Sequence, residues 1–178
     1  MVKKVMVDID NTIYPFTYNL SLLLGDKKLA NPDNYIFKNI PFEKIRTVWD
    51  KQIKTEIKQN VKSFLYCLNQ YCKITFVTYR PKNYFSKTFI WLLENVNFSF
   101  DLKILNPYER VEYLKKMKYC ALIDDNPFTI DYSIKNKINI FSTKFRYNEN
   151  YNIPKINNNP EFNKYEYLEV LKKIKDLK

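Results

Sequence analysis

Short apolar runs recur along the chain, and most are followed by a stretch whose hydrophobic positions fall at helical spacing. Residues 4–9 form the first such run and read as a strand. A long irregular stretch, residues 13–60, separates it from the next clear strand. That stretch holds a turn-rich segment, 25–41, and an amphipathic helix over 42–58, with Ile45, Val48, Trp49, Ile53 and Ile57 on one face. From residue 61 onward the alternation is regular. It predicts helices at 61–71, 82–96, 107–117 and 127–135, and strands at 73–78, 102–105, 119–123 and 138–141. Residues 148–163, rich in Asn and Pro, read as an irregular surface segment before a closing helix at 161–177. Such βα alternation predicts an α/β fold, an open parallel sheet covered by helices on both faces.

Two of the strands end in acids. The first runs Val5-Met6-Val7-Asp8-Ile9-Asp10-Asn11-Thr12 and the later one Ala121-Leu122-Ile123-Asp124-Asp125. Carboxylates at the end of an apolar run need compensation by partners or a metal, and in open parallel sheets active sites lie beyond the carboxyl ends of the strands. Four carboxylates at two such ends predict one Mg²⁺ site, formed by Asp8, Asp10, Asp124 and Asp125. Asp8 is the candidate nucleophile, since a carboxylate attacking phosphorus gives an acyl phosphate that water then cleaves. Asp10, two residues on and facing the same side, is the candidate acid and base. Thr78, with the amides around Asn11 and Tyr79, is placed to hold phosphate oxygens.

Composition narrows the chemistry further. The 178 residues contain no histidine, which excludes Ser-His-Asp and Cys-His nucleophiles, His-ligated zinc and imidazole acid–base catalysis. A single glycine, Gly25, excludes Gly-rich phosphate loops. Cys67, Cys72 and Cys120 lack metal-ligand spacing and read as reduced, mostly core residues of an intracellular protein. No signal peptide and no membrane-spanning run is expected, and the predicted location is the cytoplasm. The net charge of +11 would suit an anionic partner, nucleic acid included. The abundance of Lys, Asn, Tyr and Phe over Ala and Gly is instead the slant of AT-rich coding sequence, so nucleic acid is not the favoured partner.

Asp8-Ile9-Asp10-Asn11-Thr12, the strand-end Thr78 and Leu122-Ile123-Asp124-Asp125 together resemble motifs one, two and four of the haloacid dehalogenase (HAD) superfamily of phosphatases. Phe76-Val77-Thr78-Tyr79-Arg80-Pro81, Thr88 to Leu92, Asp124-Asp125-Asn126-Pro127 and Tyr147-Asn148 resemble its 5'(3')-deoxyribonucleotidase and 5'-nucleotidase branch. The resemblance implies a Rossmann-like core of residues 1–12 and 61–178, with a small helical cap, 13–60, inserted after the first strand. It implies Mg²⁺ held by Asp8, the backbone carbonyl of Asp10 and Asp124, with Asp125 acting through water or from behind. It implies hydrolysis of a small phosphomonoester, foremost a nucleoside monophosphate. Tyr14 and Phe16, at the start of the cap, would stack on a base or pack beneath the cap, and Arg80 would touch phosphate or pair with an acid.

One departure stands out. Where the superfamily has a lysine ahead of the Asp-Asp pair, Arg110 fits best, 14 residues before Asp124, with Lys103 as second choice; Lys115, Lys116 and Lys118 read as solvated. Arginine brings the charge as a planar fork rather than a compact ammonium. Three other readings stay open: a phosphatase of nucleic-acid ends or other phosphorylated partners, a nucleic-acid-binding module with decayed catalysis, and phosphoryl transfer to an acceptor other than water.

Overall fold

The computed structural model describes residues 2–35, 40–156 and 164–177, with the side chains of 164–167 left aside. Six parallel strands form one sheet in the order β3-β2-β1-β4-β5-β6. They are β1 (Lys3–Asp8), β2 (Cys72–Thr78), β3 (Asp101–Ile104), β4 (Ala121–Ile123), β5 (Ile140–Thr143) and β6 (Lys155–Ile156). The described helices are α1 (Phe16–Leu24), α2 (Phe42–Gln52), α3 (Gln59–Asn69), α4 (Phe85–Asn95), α5 (Pro107–Lys116), α6 (Pro127–Lys135) and α7 (Lys164–Asp176).

Alternation along the central strands creates two cores. Val5, Val7, Ile74, Phe76, Ala121, Ile123 and Phe141 pack with residues of α3, α4 and α7 on one face. Met6, Val77, Leu122 and Ile140 pack with Val111 and Leu114 of α5 and Ile130 of α6 on the other. Side chains two apart on a strand share a face, so Asp8, in step with Met6, leaves the sheet on the α5 side. The first core continues into residues 13–60, taking in Ile13, Tyr14, Phe16, Leu20, Val48, Trp49 and Ile57.

Several element boundaries differ from the sequence reading. The helix expected over 42–58 ends at Gln52, and a turn carries the chain to α3. Ile57 still packs in the core, from the connection between α2 and α3 rather than from a helix. The helix expected from 82 begins as a 3-10 turn, Lys82–Tyr84, after Pro81, and becomes α-helical at Phe85. The last strand expected, 138–141, lies two residues later, at Ile140–Thr143. The segment 148–163 is not wholly irregular, since Lys155 and Ile156 pair with Ser142 and Thr143 as β6. Residues 157–163, with the Asn157-Asn158-Asn159 run and the expected start of the closing helix, lie outside the described residues. No described helix is long and apolar enough to cross a membrane.

Candidate active site

In sequence order the sheet grows from β1 to β2 and β3 on one side and then to β4, β5 and β6 on the other. The reversal falls between β1 and β4, and a crevice opens there at the carboxyl ends of the strands. Asp8 ends β1, and Asp124 and Asp125 directly follow β4. All three are buried, and one carboxylate oxygen from each lies within 4.8 Å of the others.

Arg110 reaches this cluster from α5. Its Nη1 lies 2.8 Å from Asp8 Oδ1 and 2.5 Å from Asp124 Oδ2, and its Nε donates to the Leu105 carbonyl at 3.1 Å. The helix that carries it is firmly started: Asn106 Oδ1 accepts from the amides of Tyr108 and Glu109, the Asn106 amide donates to Glu109 Oε2, and Pro107 fills the first turn. Thr12 Oγ1 donates to the other oxygen of Asp8 at 3.3 Å, and the Asn126 amide donates to Asp124 Oδ1 at 2.9 Å. Lys103, Lys115, Lys116 and Lys118 are exposed.

Asp125 is held separately. Tyr147 Oη donates to its Oδ2 in a short bond, Asn11 Nδ2 donates to the same oxygen at 3.4 Å, and Asn148 Nδ2 donates to its backbone carbonyl at 3.3 Å. Asn11 adopts φ 65°, in the left-handed region where Asn is among the better-tolerated residues, and its carbonyl accepts from Thr143 Oγ1 at 3.0 Å. Its side-chain oxygen accepts from both the amide and the hydroxyl of Thr17 in α1.

Burial dominates the electrostatics. It pushes the Asp8 carboxyl well up, against the opposing pull of Arg110, and Asp124, Asp125 and Asp10 add to the rise. Asp125 is pushed up to about 7, by burial first and then by Asp124. Burial works against the charge of Arg110, but Asp124 and Asp8 outweigh it and raise its proton affinity. Three buried carboxylates with a single guanidinium carry surplus negative charge on hard oxygen donors, which suits a small divalent cation such as Mg²⁺.

Asp10 sits beyond the cluster, where it forms a fork-to-fork pair with Arg80: Nε donates to Oδ2 at 2.8 Å and Nη2 to Oδ1 in a short bond. Arg80 is itself buried, with Nη1 on Thr88 Oγ1 at 3.3 Å and its guanidinium carbon 5.6 Å from the centre of the Trp49 ring. Thr78, buried at the end of β2, accepts the Arg80 amide at 3.3 Å. Asp8, Asp10, Asn11, Arg80, Arg110 and Asp125 all border one cavity of about 400 Å³. Its apolar wall includes Phe16, Phe42 and Trp49, with Tyr79 exposed beside it.

Tyr14 does not line that cavity. It is buried, with its hydroxyl on the Val48 carbonyl at 3.4 Å and its ring edge-on to Trp91, so of its two expected roles the structure places it in packing. Phe16, its neighbour in the same expectation, does line the cavity and also lies against Trp49. The sequence reading does not single out Tyr35 for this site, and it brings in Asn126 only within the motif Asp124-Asp125-Asn126-Pro127. Asn126 Nδ2 donates to Tyr35 Oη at 3.0 Å, and both border the cavity. The aromatic start of the insertion drew attention to Phe16, whereas nothing local distinguishes Tyr35 in its turn-rich segment.

Solved structures with this arrangement of strands and helices come from several bacteria. A HAD family hydrolase from Deinococcus radiodurans, crystallised with bound phosphate and sodium, superposes over 99% of this chain and 97% of its own with a TM-score of 0.63, at 8% identity. The fold is haloacid dehalogenase-like. A haloacid dehalogenase-like hydrolase from Streptococcus pneumoniae matches 97% of this chain and 98% of its own with a TM-score of 0.60, at 15% identity. No protein-family model matches the chain. In sequence, a provisionally named nucleotidase of Bacillus cereus is 28% identical over 90 residues, 47% of this chain. The match spans 46% of that relative, so under half of its length is represented. In this chain the acids at the ends of β1 and β4 lie on either side of Arg110, which pairs with both Asp8 and Asp124.

Proposed function

We propose that the protein is a magnesium-dependent phosphomonoesterase acting on a small substrate, foremost a (deoxy)ribonucleoside monophosphate. The observation that carries this reading is the gathering of Asp8, Asp124 and Asp125, the first two joined through Arg110, beside a cavity with an aromatic wall. Phosphate chemistry asks for an anionic nucleophile held next to positive charge, and the acidic cluster with its buried guanidinium offers both. The nucleotide assignment draws on the aromatic wall, which suits a planar base, and on the name of the Bacillus cereus relative.

Asp8 Oδ attacks phosphorus, the ester oxygen leaves with a proton from Asp10, and an aspartyl phosphate remains on Asp8. Asp10 then takes a proton from a water molecule, whose oxygen attacks phosphorus and returns Asp8 to a carboxylate. Asp8, Asp124 and Asp125, together with the backbone carbonyl of Asp10, would hold the Mg²⁺, which supplies charge screening between the nucleophile and the phosphate. Arg110 keeps Asp8 and Asp124 in fixed orientation and adds positive charge in the place of the usual lysine. Thr78 and the amides near Asn11 and Tyr79 hold phosphate oxygens. Residues 13–60 act as a cap, with α2 and Phe16 closing the cavity over the substrate and excluding polymer strands.

The test is phosphate release from a panel of ribo- and deoxyribonucleoside 5'- and 3'-monophosphates, sugar phosphates and a 3'-phosphorylated oligonucleotide, with Mg²⁺ and with EDTA. Release from the mononucleotides that needs Mg²⁺ and disappears in Asp8→Asn is the expected outcome. Release from the oligonucleotide alone would transfer the activity to nucleic-acid ends. No release from any substrate would leave a binding module as the better reading.

A further inference from the structure

β3 ends the sheet on the side away from β1. The Leu105 N–H donates to the Thr78 carbonyl at 2.9 Å, and backbone direction alternates along a strand, so Leu102 and Ile104 turn their N–H and C=O groups outward. No hydrogen bond among the described residues reaches those outer groups. Open strand edges are commonly guarded by a charge, and here Lys103 is exposed and forms no ion pair among the described residues. Asp101, two residues earlier and on the same face, is half exposed and pairs with Lys73 of β2 at 3.0 Å. Phe100 and Leu102 stand on the other face, with the first core.

We infer that the partner of this edge is a second copy of the chain, joined through β3 by a two-fold axis into one continuous sheet. In an antiparallel junction, outward-facing residues must meet outward-facing residues. An axis at Asp101 or at Lys103 would set like charges opposite each other. An axis at Leu102 sets Asp101 of each copy opposite Lys103 of the other, at positions where side chains approach most closely, and Phe100 opposite Ile104. The edge is thus complementary to itself, as an isologous interface requires. The neighbouring helix fits the same partner. One flank of α4 is taken up by α2 and the connection after it, since Lys87 Nζ donates to Asp50 and Trp91 Nε1 to the Thr55 carbonyl, both at 2.8 Å. The opposite flank carries Phe85 and Phe89, stacked with ring centres 6.1 Å apart, and Phe89 rests on Phe100 at 5.3 Å, directly before β3. Phe85 is 40% exposed, and Ile90 and Leu93 further round the helix are 50% and 55% exposed. An apolar band therefore runs beside the open edge, with the charges on the other face of the sheet, and the two α4 helices close over the seam.

Sedimentation equilibrium of the full chain over a range of micromolar concentrations tests this, with circular dichroism of every variant as the control for folding. Wild type is expected to associate to twice the mass of one chain. Lys103→Asp sets like charges opposite each other at both symmetry-related positions and weakens association at least about tenfold, and Asp101→Lys does the same. An equimolar mixture of these two variants recovers dimers holding one chain of each, because every carboxylate again faces an ammonium. Phe85→Ser weakens association with the charges intact. A wild type that stays monomeric overturns the inference, as does a dimer indifferent to both charge variants, or a mixture that associates no better than its parts. If either charge variant does not fold, Phe85→Ser decides, and an association constant equal to that of wild type overturns the inference.

Discussion

Arg110 shares one nitrogen between two carboxylates, and the effect of replacing it depends on what takes its place. Removing one partner of a buried ionic cluster leaves charge uncompensated, at a typical cost of about 3–5 kcal/mol. Arg110→Ala is expected to lose about that much stability in EDTA, and to recover part of it in Mg²⁺, because a cation bound only by the folded state adds its binding free energy. Activity falls as well. Arg110→Lys keeps a positive charge among Asp8, Asp124 and Asp125 but cannot also reach the Leu105 carbonyl as the fork does, so most of the activity and part of the stability survive. Urea unfolding with and without Mg²⁺, beside steady-state kinetics, measures both effects. Equal values for Arg, Lys and Ala would show that another group supplies the charge.

At the scale of elements, the cap of α5 is what places Arg110, one turn inside the helix. Asn106→Ala removes the acceptor for two amides and is expected to cost about 1 kcal/mol, with a fall in kcat because the guanidinium loses its fixed approach. Thermal unfolding and kinetics of that variant check the coupling; a loss of stability with unchanged kcat would separate the cap from the site. Asn106-Pro107 and Glu109 form a start signal readable in the sequence, and so are the apolar strands that end at Asp8 and before Asp124. Arg110 was legible because its spacing from Asp124 puts it on the preceding helix. Other features were not. The end of α2 at Gln52 is set by the path of the chain into α3, although apolar spacing continues to Ile57. The pairing of Asp10 with Arg80 joins residues 70 apart, and only the docking of β1 beside β2 brings them together. The two-residue strand β6 has no pattern of its own and exists because β5 offers it an edge.

Across the whole molecule, the two cores meet at β1, and both serve the site: the α5 side delivers Arg110, and the side shared with α4 and residues 13–60 delivers Trp49 and anchors Arg80 through Thr88. Binding of Mg²⁺ should therefore stabilise the fold as a unit. At a concentration about 100 times its Kd the gain is about 2.7 kcal/mol, or a rise in Tm of about 5–10 °C for a domain of this size. Differential scanning calorimetry reads this directly, and Asp124→Asn should abolish the rise; an unchanged response would move the metal elsewhere. The two tryptophans divide the molecule differently. Trp49 borders the cavity beside a guanidinium, whereas Trp91 is sealed in the core with its indole N–H on the Thr55 carbonyl at 2.8 Å. Their fluorescence consequently has two origins, one that senses whatever enters the cavity and one that stays silent until the core itself opens, so occupancy and unfolding can be watched in one spectrum without attaching a dye.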